Sequence, residues 1–191
     1  MTPPALLIVT GHPATGKTTL ANQLASTLRL PLISKDAFKE ALFDSLGWSD
    51  REWSRRTGAA AIALLYRMAE SILLSGRPLI LESNFRADLD TPRMYALHKH
   101  SPFRPAQIRC VAHGDVLVER IRARIRLGQR HPGHCDDVSE ADLATVRTRG
   151  DIEPLPIGGD LLTVDTTVPA AIDMAAVTAW ARAHVRGDAQ E

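Results

Sequence analysis

Between residues 11 and 18 the chain reads Gly-His-Pro-Ala-Thr-Gly-Lys-Thr, with glycine, lysine and threonine at the spacing of a phosphate-binding loop. Gly11 and Gly16 allow a tight turn in which successive N–H groups converge on one concavity beside a helix N-terminus. Such a concavity is complementary to phosphate oxygens. His12, Pro13, Ala14 and Thr15 span the turn. Lys17 can set its ammonium against β- and γ-phosphates, and the Thr18 hydroxyl, followed by Thr19, can ligate Mg²⁺. The loop by itself does not separate a kinase from a hydrolase or a switch.

Two acids could complete the chemistry. Asp36, after Ser34-Lys35, could take a proton from an attacking hydroxyl or hold Mg²⁺ through water; it also stands where an N-cap would precede Ala37–Phe43. Glu82 ends an apolar run, as does the carboxylate that organises Mg²⁺ and its waters in such proteins. Buried acids are uncommon unless paired. Asn84 and Arg86 follow on the same rim as candidate acceptor contacts. Arg120, Arg122, Arg124, Arg126 and Arg130 form the densest basic cluster. Helical spacing sorts the first four into pairs 120/124 and 122/126, and periodicity does not say which pair faces phosphate. The cluster could also be a solvated face balanced by Glu119, Asp136 and Asp137. Residues 128–138 read as a lid that excludes water while Arg130 meets transferring charge. His131, His134, Cys135 and Asp137 could be drawn as a zinc site, but their spacing is a poor zinc pattern.

The positioning elements follow from periodicity. Ala5–Thr10 is a nearly unbroken apolar run, a strand buried on both faces. Leu20, Ala21, Leu24, Ala25 and Leu28 form the stripe of an amphipathic helix. Further strands are expected at Leu30–Ser34, Arg77–Phe85, Gln107–Ala112 and Leu161–Asp165. Asp36 and Glu82 then fall at the edge where ligands gather in open parallel sheets. Residues 37–74 read as helices, broken at Gly47 and reopened by capping-box spacing from Ser49 to Glu52. Ile62, Leu65, Met68, Ala69, Ile72 and Leu73 form the buried stripe there. This helical region could overhang the strand ends as an acceptor pocket, with Trp48, Trp53, Arg55 and Arg56 as candidate contacts. The plainer reading has the tryptophans anchoring the helix pair and the arginines facing water. A short helical segment lies among Pro92, Pro102 and Pro105. Leu117, Val118, Ile121 and Ile125 mark the next buried helix face, and Pro169 opens the closing helix.

The 191 residues suit one domain with a substantial core. With 23 Lys and Arg against 22 Asp and Glu, no global field marks a nucleic-acid or membrane binder. Two cysteines make no disulfide framework, and no apolar run approaches membrane-spanning length. A cytoplasmic location is expected, and Gly187–Glu191 reads as a frayed tail.

The chain resembles the small P-loop kinases, in particular the group of chloramphenicol phosphotransferase, polynucleotide-kinase-like and zeta-toxin-like proteins. The resemblance rests on Gly11–Thr18, Ser34-Lys35-Asp36, Glu82-Ser83-Asn84-Phe85, Arg120 and Arg124 before a lid, and Val164-Asp165-Thr166. It implies an α/β fold with a five-stranded parallel sheet in the order 2-3-1-4-5, flanked by helices. It implies that Lys17 and Thr18 hold ATP and Mg²⁺, that Asp36 is the general base, that Arg120 and Arg124 contact phosphates, and that Thr166 lies near adenine. The expectation is an ATP- and Mg²⁺-dependent kinase for a hydroxyl of a small molecule, an antibiotic or nucleoside-like metabolite. Alternatives are a kinase for polynucleotide 5′-ends or nucleotide sugars, and a nucleotide-binding regulatory module without phosphotransfer.

Overall fold

The computed structural model describes residues 2–135 and 138–187. Five parallel strands form one sheet: β1 (Ala5–Gly11), β2 (Leu32–Ser34), β3 (Leu79–Glu82), β4 (Arg104–Val111) and β5 (Asp160–Asp165). Their order is β2-β3-β1-β4-β5, the arrangement that the resemblance implies. Parallel neighbours need crossovers, and these are helical: α1 (Lys17–Leu28), α2 (Lys35–Leu46), α3 (Arg51–Leu74), α4 (Ala87–His100), α5 (Gly114–Arg126), α6 (Glu140–Thr148) and α7 (Met174–Arg186).

Every residue of β1 is buried, because helices cover both faces of the sheet. The two-residue alternation divides its side chains between two cores. Leu6 and Ile8 join Leu79, Leu81, Leu65, Phe85 and Met94 on the side of α3 and α4. Leu7 and Val9 join Leu20, Leu24, Ile80, Ile108 and Val177 on the side of α1 and α7. Each fully buried aliphatic side chain contributes about 1.5–3 kcal/mol. The outer strands, β2 and β5, are short or largely exposed.

Several boundaries differ from the sequence reading. Asp50, not Ser49, caps α3, accepting from the Trp53 amide at 2.8 Å. Met68 and Ile125 leave the buried stripes, at 46% and 44% exposure. The expected short segment after Asp88 is a full helix that runs through Pro92. Proline removes one ladder bond there. The buried Asp90 carboxylate ties down the first turn instead, accepting from the Arg86 amide, the Tyr66 hydroxyl and Arg93. Pro169–Ala171 is a separate 3-10 turn, and the closing helix begins at Met174, capped by Asp173. By length and composition α3 could cross a membrane, contrary to expectation; here Ala61, Leu65, Ala69 and Leu73 carry one of its faces into the core.

The register puts Glu82 between Val9 and Ser34 at the C-terminal ends of three adjacent strands. The phosphate-type loop leaves β1 at that same edge.

Candidate active site

Gly11 ends β1 at φ 152°, where a side chain would collide with the Cys110 carbonyl. Ala14 (φ 69°) and Gly16 (φ 79°) take left-handed conformations, which turn the backbone back on itself. For Ala14 this conformation is strained, and such strain is tolerated only when surrounding contacts impose it. Those contacts are present. Thr15 Oγ1 donates to the His12 carbonyl at 2.8 Å, and the Thr166 hydroxyl donates to the Thr15 carbonyl at 2.6 Å. Arg120 donates to the carbonyls of Ala14, Thr166 and Thr167 at 3.2, 2.6 and 3.2 Å. Gly16 caps α1 without any side-chain acceptor for the first-turn amides. The result is a braced turn whose amides and helix N-terminus suit an anion.

Below the loop, Glu82 is 2% exposed and gathers three donors. Ser34 Oγ donates to one carboxylate oxygen at 2.5 Å, while Thr18 Oγ1 donates to the other at 3.2 Å. Lys17 Nζ lies 3.8 Å from that second oxygen. Burial pushes the Lys17 ammonium below its ordinary pKa, and Glu82 and Asp36 oppose that effect. A negatively charged phosphate at the loop would act in the same direction as the two acids. Thr18 and Glu82 are hard oxygen donors and fit Mg²⁺, which takes few protein ligands and completes its shell with waters and phosphates.

Asp36 occupies the second position of α2, two residues beyond the cap at Ser34. The expected N-cap role is therefore wrong: Ser34 stands at the cap, and its hydroxyl is committed to Glu82. Lys35 Nζ lies 3.7 Å from one Asp36 oxygen, and Arg130 Nη2 lies 3.4 Å from the other. Burial favours protonated Asp36, but Lys35 and Arg130, with His134 and Lys17, outweigh it and hold the carboxyl below its usual range.

These groups share one cleft of about 640 Å³, within the range of small-molecule sites. Lys17, Thr18, Asp36 and Asn84 line it, as do Thr166, Ile172 and Met174. Of the two arginine pairs, 120/124 lines the cleft, whereas Arg122 pairs with Glu140 at 2.6 Å on the outer surface. Arg130 joins from the far wall, with Gln129.

A family model described as an AAA domain matches residues 6–149. The chain belongs to this AAA-domain family. A provisionally named kinase from Chloroflexus aurantiacus is 69% identical, over 96% of this chain and 99% of that one, with a TM-score of 0.94. Kti12 from Chaetomium thermophilum, solved with ADP-AlF3, is 21% identical over 94% and 98% of the two chains, with a TM-score of 0.64. The Mycobacterium tuberculosis APS kinase CysC, solved with AMPPNP and APS, is 13% identical over 97% and 99%, with a TM-score of 0.58. Among curated proteins none matches. The AAA domain here thus has the fold of kinase-like P-loop proteins.

Not every expected residue of this AAA domain reaches the cleft. Arg86 is exposed and pairs with Asp88 at 2.6 Å, directed to solvent. Trp53 donates its indole N–H to the Gly47 carbonyl at 2.9 Å, and the Arg56 guanidinium lies 5.4 Å from its ring. Trp53 thereby ties the start of α3 to the α2–α3 turn, and Arg56 lies exposed beside its ring. Trp48 meets the His131 ring edge-on at 4.7 Å. Segment 130–135 docks on α2: His131 approaches Asp44 at 3.2 Å, His134 approaches Glu40 at 3.0 Å, and both rings pack on Phe43. Asp136 and Asp137 of the expected lid, and residues 188–191 of the expected tail, lie outside the described residues.

Three functional contributions escaped the sequence reading. Ser34 holds Glu82, Lys35 flanks Asp36, and Arg120 with Thr166 braces the loop through carbonyls. Only Ser34 had a local signal, since the register of neighbouring strands sets it opposite Glu82.

Proposed function

We propose that the protein is an ATP- and Mg²⁺-dependent kinase that transfers the γ-phosphoryl group to a hydroxyl of a small molecule, with residues 1–191 as one catalytic domain. The observation that carries this reading is Asp36, a carboxylate in the wall of the same cleft as Lys17 and Thr18, flanked by Lys35 and Arg130. A module that only binds nucleotide has no need of an acid at that place.

In this reading the loop amides and Lys17 hold the β- and γ-phosphates, and Thr166, Ile172 and Met174 face the nucleoside. Mg²⁺, held by Thr18 with Glu82 behind it, would neutralise charge that develops on the transferred group. Asp36 orients the acceptor hydroxyl and takes its proton as the oxygen bonds to the γ-phosphorus and the bond from that phosphorus to the bridging oxygen of the departing ADP breaks. Its lowered pKa keeps it ionised at neutral pH, and Arg130 is placed to share the negative charge. Catalysis here is chiefly positioning and charge stabilisation. The near balance of charge and the bounded cleft favour a small acceptor over a polynucleotide, which a basic groove would suit.

The test couples two measurements. A library of hydroxyl compounds is screened for ATP consumption and for a phosphate adduct by mass, and any acceptor found is then used with Asp36→Asn. Turnover should fall by roughly two to four orders of magnitude, the usual contribution of a general base, with ATP affinity nearly unchanged. An Asp36→Asn protein that turns over at the wild-type rate removes the mechanism.

A further inference from the structure

A second cavity, of about 300 Å³, lies between the first turns of α3 and the segment around His134. Arg51, Ser54 and Arg55 line it from α3, and His134 and Cys135 from the opposite side. We propose that this cavity binds an anionic group of the acceptor, a phosphate, sulfate or carboxylate. The word acceptor rests on the kinase reading above; the anion site itself does not.

The argument begins behind the cavity wall. Lys39 is 9% exposed, with Nζ 5.3 Å above the Phe43 ring. Among the described residues no carboxylate lies within 4.0 Å of that nitrogen, and its hydrogen bond is to Ser54 Oγ, at 2.8 Å. A buried cation without a carboxylate is costly, and one hydroxyl and one ring face offset only part of that cost. Burial and Lys35 accordingly pull the Lys39 ammonium below its ordinary pKa.

The hydrogen-bond direction then determines what Ser54 offers. Lys39 can only donate, so Ser54 Oγ accepts from it. The Ser54 proton must point elsewhere, and among the described residues it has no acceptor. Ser54 therefore presents a donor to the cavity, backed by a positive charge. Arg55 adds a guanidinium that no described carboxylate neutralises within 4.0 Å. Asp142, an acid among the described lining residues, accepts from the Ser139 amide and hydroxyl at 2.9 and 2.7 Å and completes the cap of α6. A convergence of donors and charge over a buried ammonium is complementary to an anion.

The location ties the cavity to the proposed chemistry. Lys39 and Asp36 are three residues apart on α2, hence on one face. His134 lines the cavity and also acts electrostatically on Asp36. An alcohol anchored there by its anionic group would have its hydroxyl toward Asp36. The acceptor class is therefore an anionic alcohol.

The probe is inorganic phosphate, titrated by calorimetry into wild type, Lys17→Ala, Ser54→Ala and Arg55→Gln, with circular dichroism to verify folding. The Lys17 variant weakens the loop, so binding that survives it belongs elsewhere. We expect a phosphate site that persists in Lys17→Ala and weakens about tenfold or more in Ser54→Ala and in Arg55→Gln, each of which removes a charge-assisted contact. Phosphate binding that vanishes in Lys17→Ala and is unchanged in the other two, or no binding at all, overturns the proposal and leaves the kinase reading standing. The expected pattern in a protein that fails to bind Mg-ATP instead removes the kinase reading and keeps the anion site. An acceptor screen that returns only uncharged alcohols overturns the assignment of acceptor class.

Discussion

The phosphate loop and the region proposed to receive the acceptor are built on opposite principles. The loop is one continuous octapeptide between a buried strand and a helix, braced by two side chains, Arg120 and Thr166, that bind its carbonyls. The proposed acceptor side is assembled from α2, α3 and segment 130–135, which meet through ring contacts and ion pairs: His131 with Asp44, His134 with Glu40, and Arg130 with Asp36. A triphosphate is the same in every nucleotide, so the loop can be rigid and generic. An acceptor must be selected and covered, which asks for several separately variable pieces. One region is shaped by its own backbone, the other by tertiary contacts.

The largest expected effect breaks the loop alone. Lys17→Ala should lower turnover by roughly two to three orders of magnitude, the scale for removing one preorganised charge donor. Thermal unfolding should be followed in parallel, because Lys17 is buried beside Glu82 and its loss leaves that carboxylate with the Ser34 and Thr18 hydroxyls alone. Retained ATP affinity and turnover in a folded variant would undo the distinction.

Arg130→Ala probes the other side. It should slow turnover about ten- to a hundredfold while ATP affinity, measured by titration, moves far less. It should also alter the pH profile. Lys35 and Arg130 hold Asp36 below its usual pKa against the effect of burial. Removing Arg130 should therefore raise that pKa and move the acidic limb of the rate profile to higher pH. The same linkage makes the Asp36 contribution to stability present above the ordinary aspartate pKa and lost as pH falls through the folded value. A limb that stays in place would mean that Arg130 does not act on Asp36 in solution.

Gly133→Ala tests whether segment 130–135 is held by shape. An added Cβ would stand 2.7 Å from the Phe43 ring, so the ring or the turn must move. The expected cost is about 1–3 kcal/mol in denaturant unfolding, with ATP affinity retained. No loss of stability would show the docking to be loose.

The smallest effect is expected for Thr166→Val. The change removes the bonds from the Thr166 hydroxyl to the carbonyls of Thr15 and Val111. Stability should drop by about 1–2 kcal/mol, and ATP affinity modestly, because Arg120 still holds the loop. A loss as large as that of Lys17→Ala would make Thr166 the principal brace.

How much could be read in the amino-acid order follows the same division. Gly11–Thr18 declares itself because its function is local: glycines for backbone conformation, then lysine and threonine at fixed spacing. The buried strands and the ends of β2 and β3 are visible as apolar runs, and Asp36 and Glu82 fall at their exits. Even so, the cap of α2 fell on Ser34 rather than Asp36, because a cap is decided by where the strand ends and not by which acid is near. Met68 and Ile125 left their stripes because helical periodicity gives the apolar arc but not the width that neighbours cover.

The sequence alone determined the P-loop motif, the parallel α/β class and the candidate general base, since each depends on residue types within a few positions of one another. Only the tertiary structure decided which arginine pair faces the cleft, that Arg120 braces carbonyls, that Trp53 and Arg86 lie outside, and that Lys39 is buried behind Ser54. Those outcomes depend on how helices far apart in the chain are rotated and docked. That rotation is set by the summed packing of many side chains, and no local spacing encodes it.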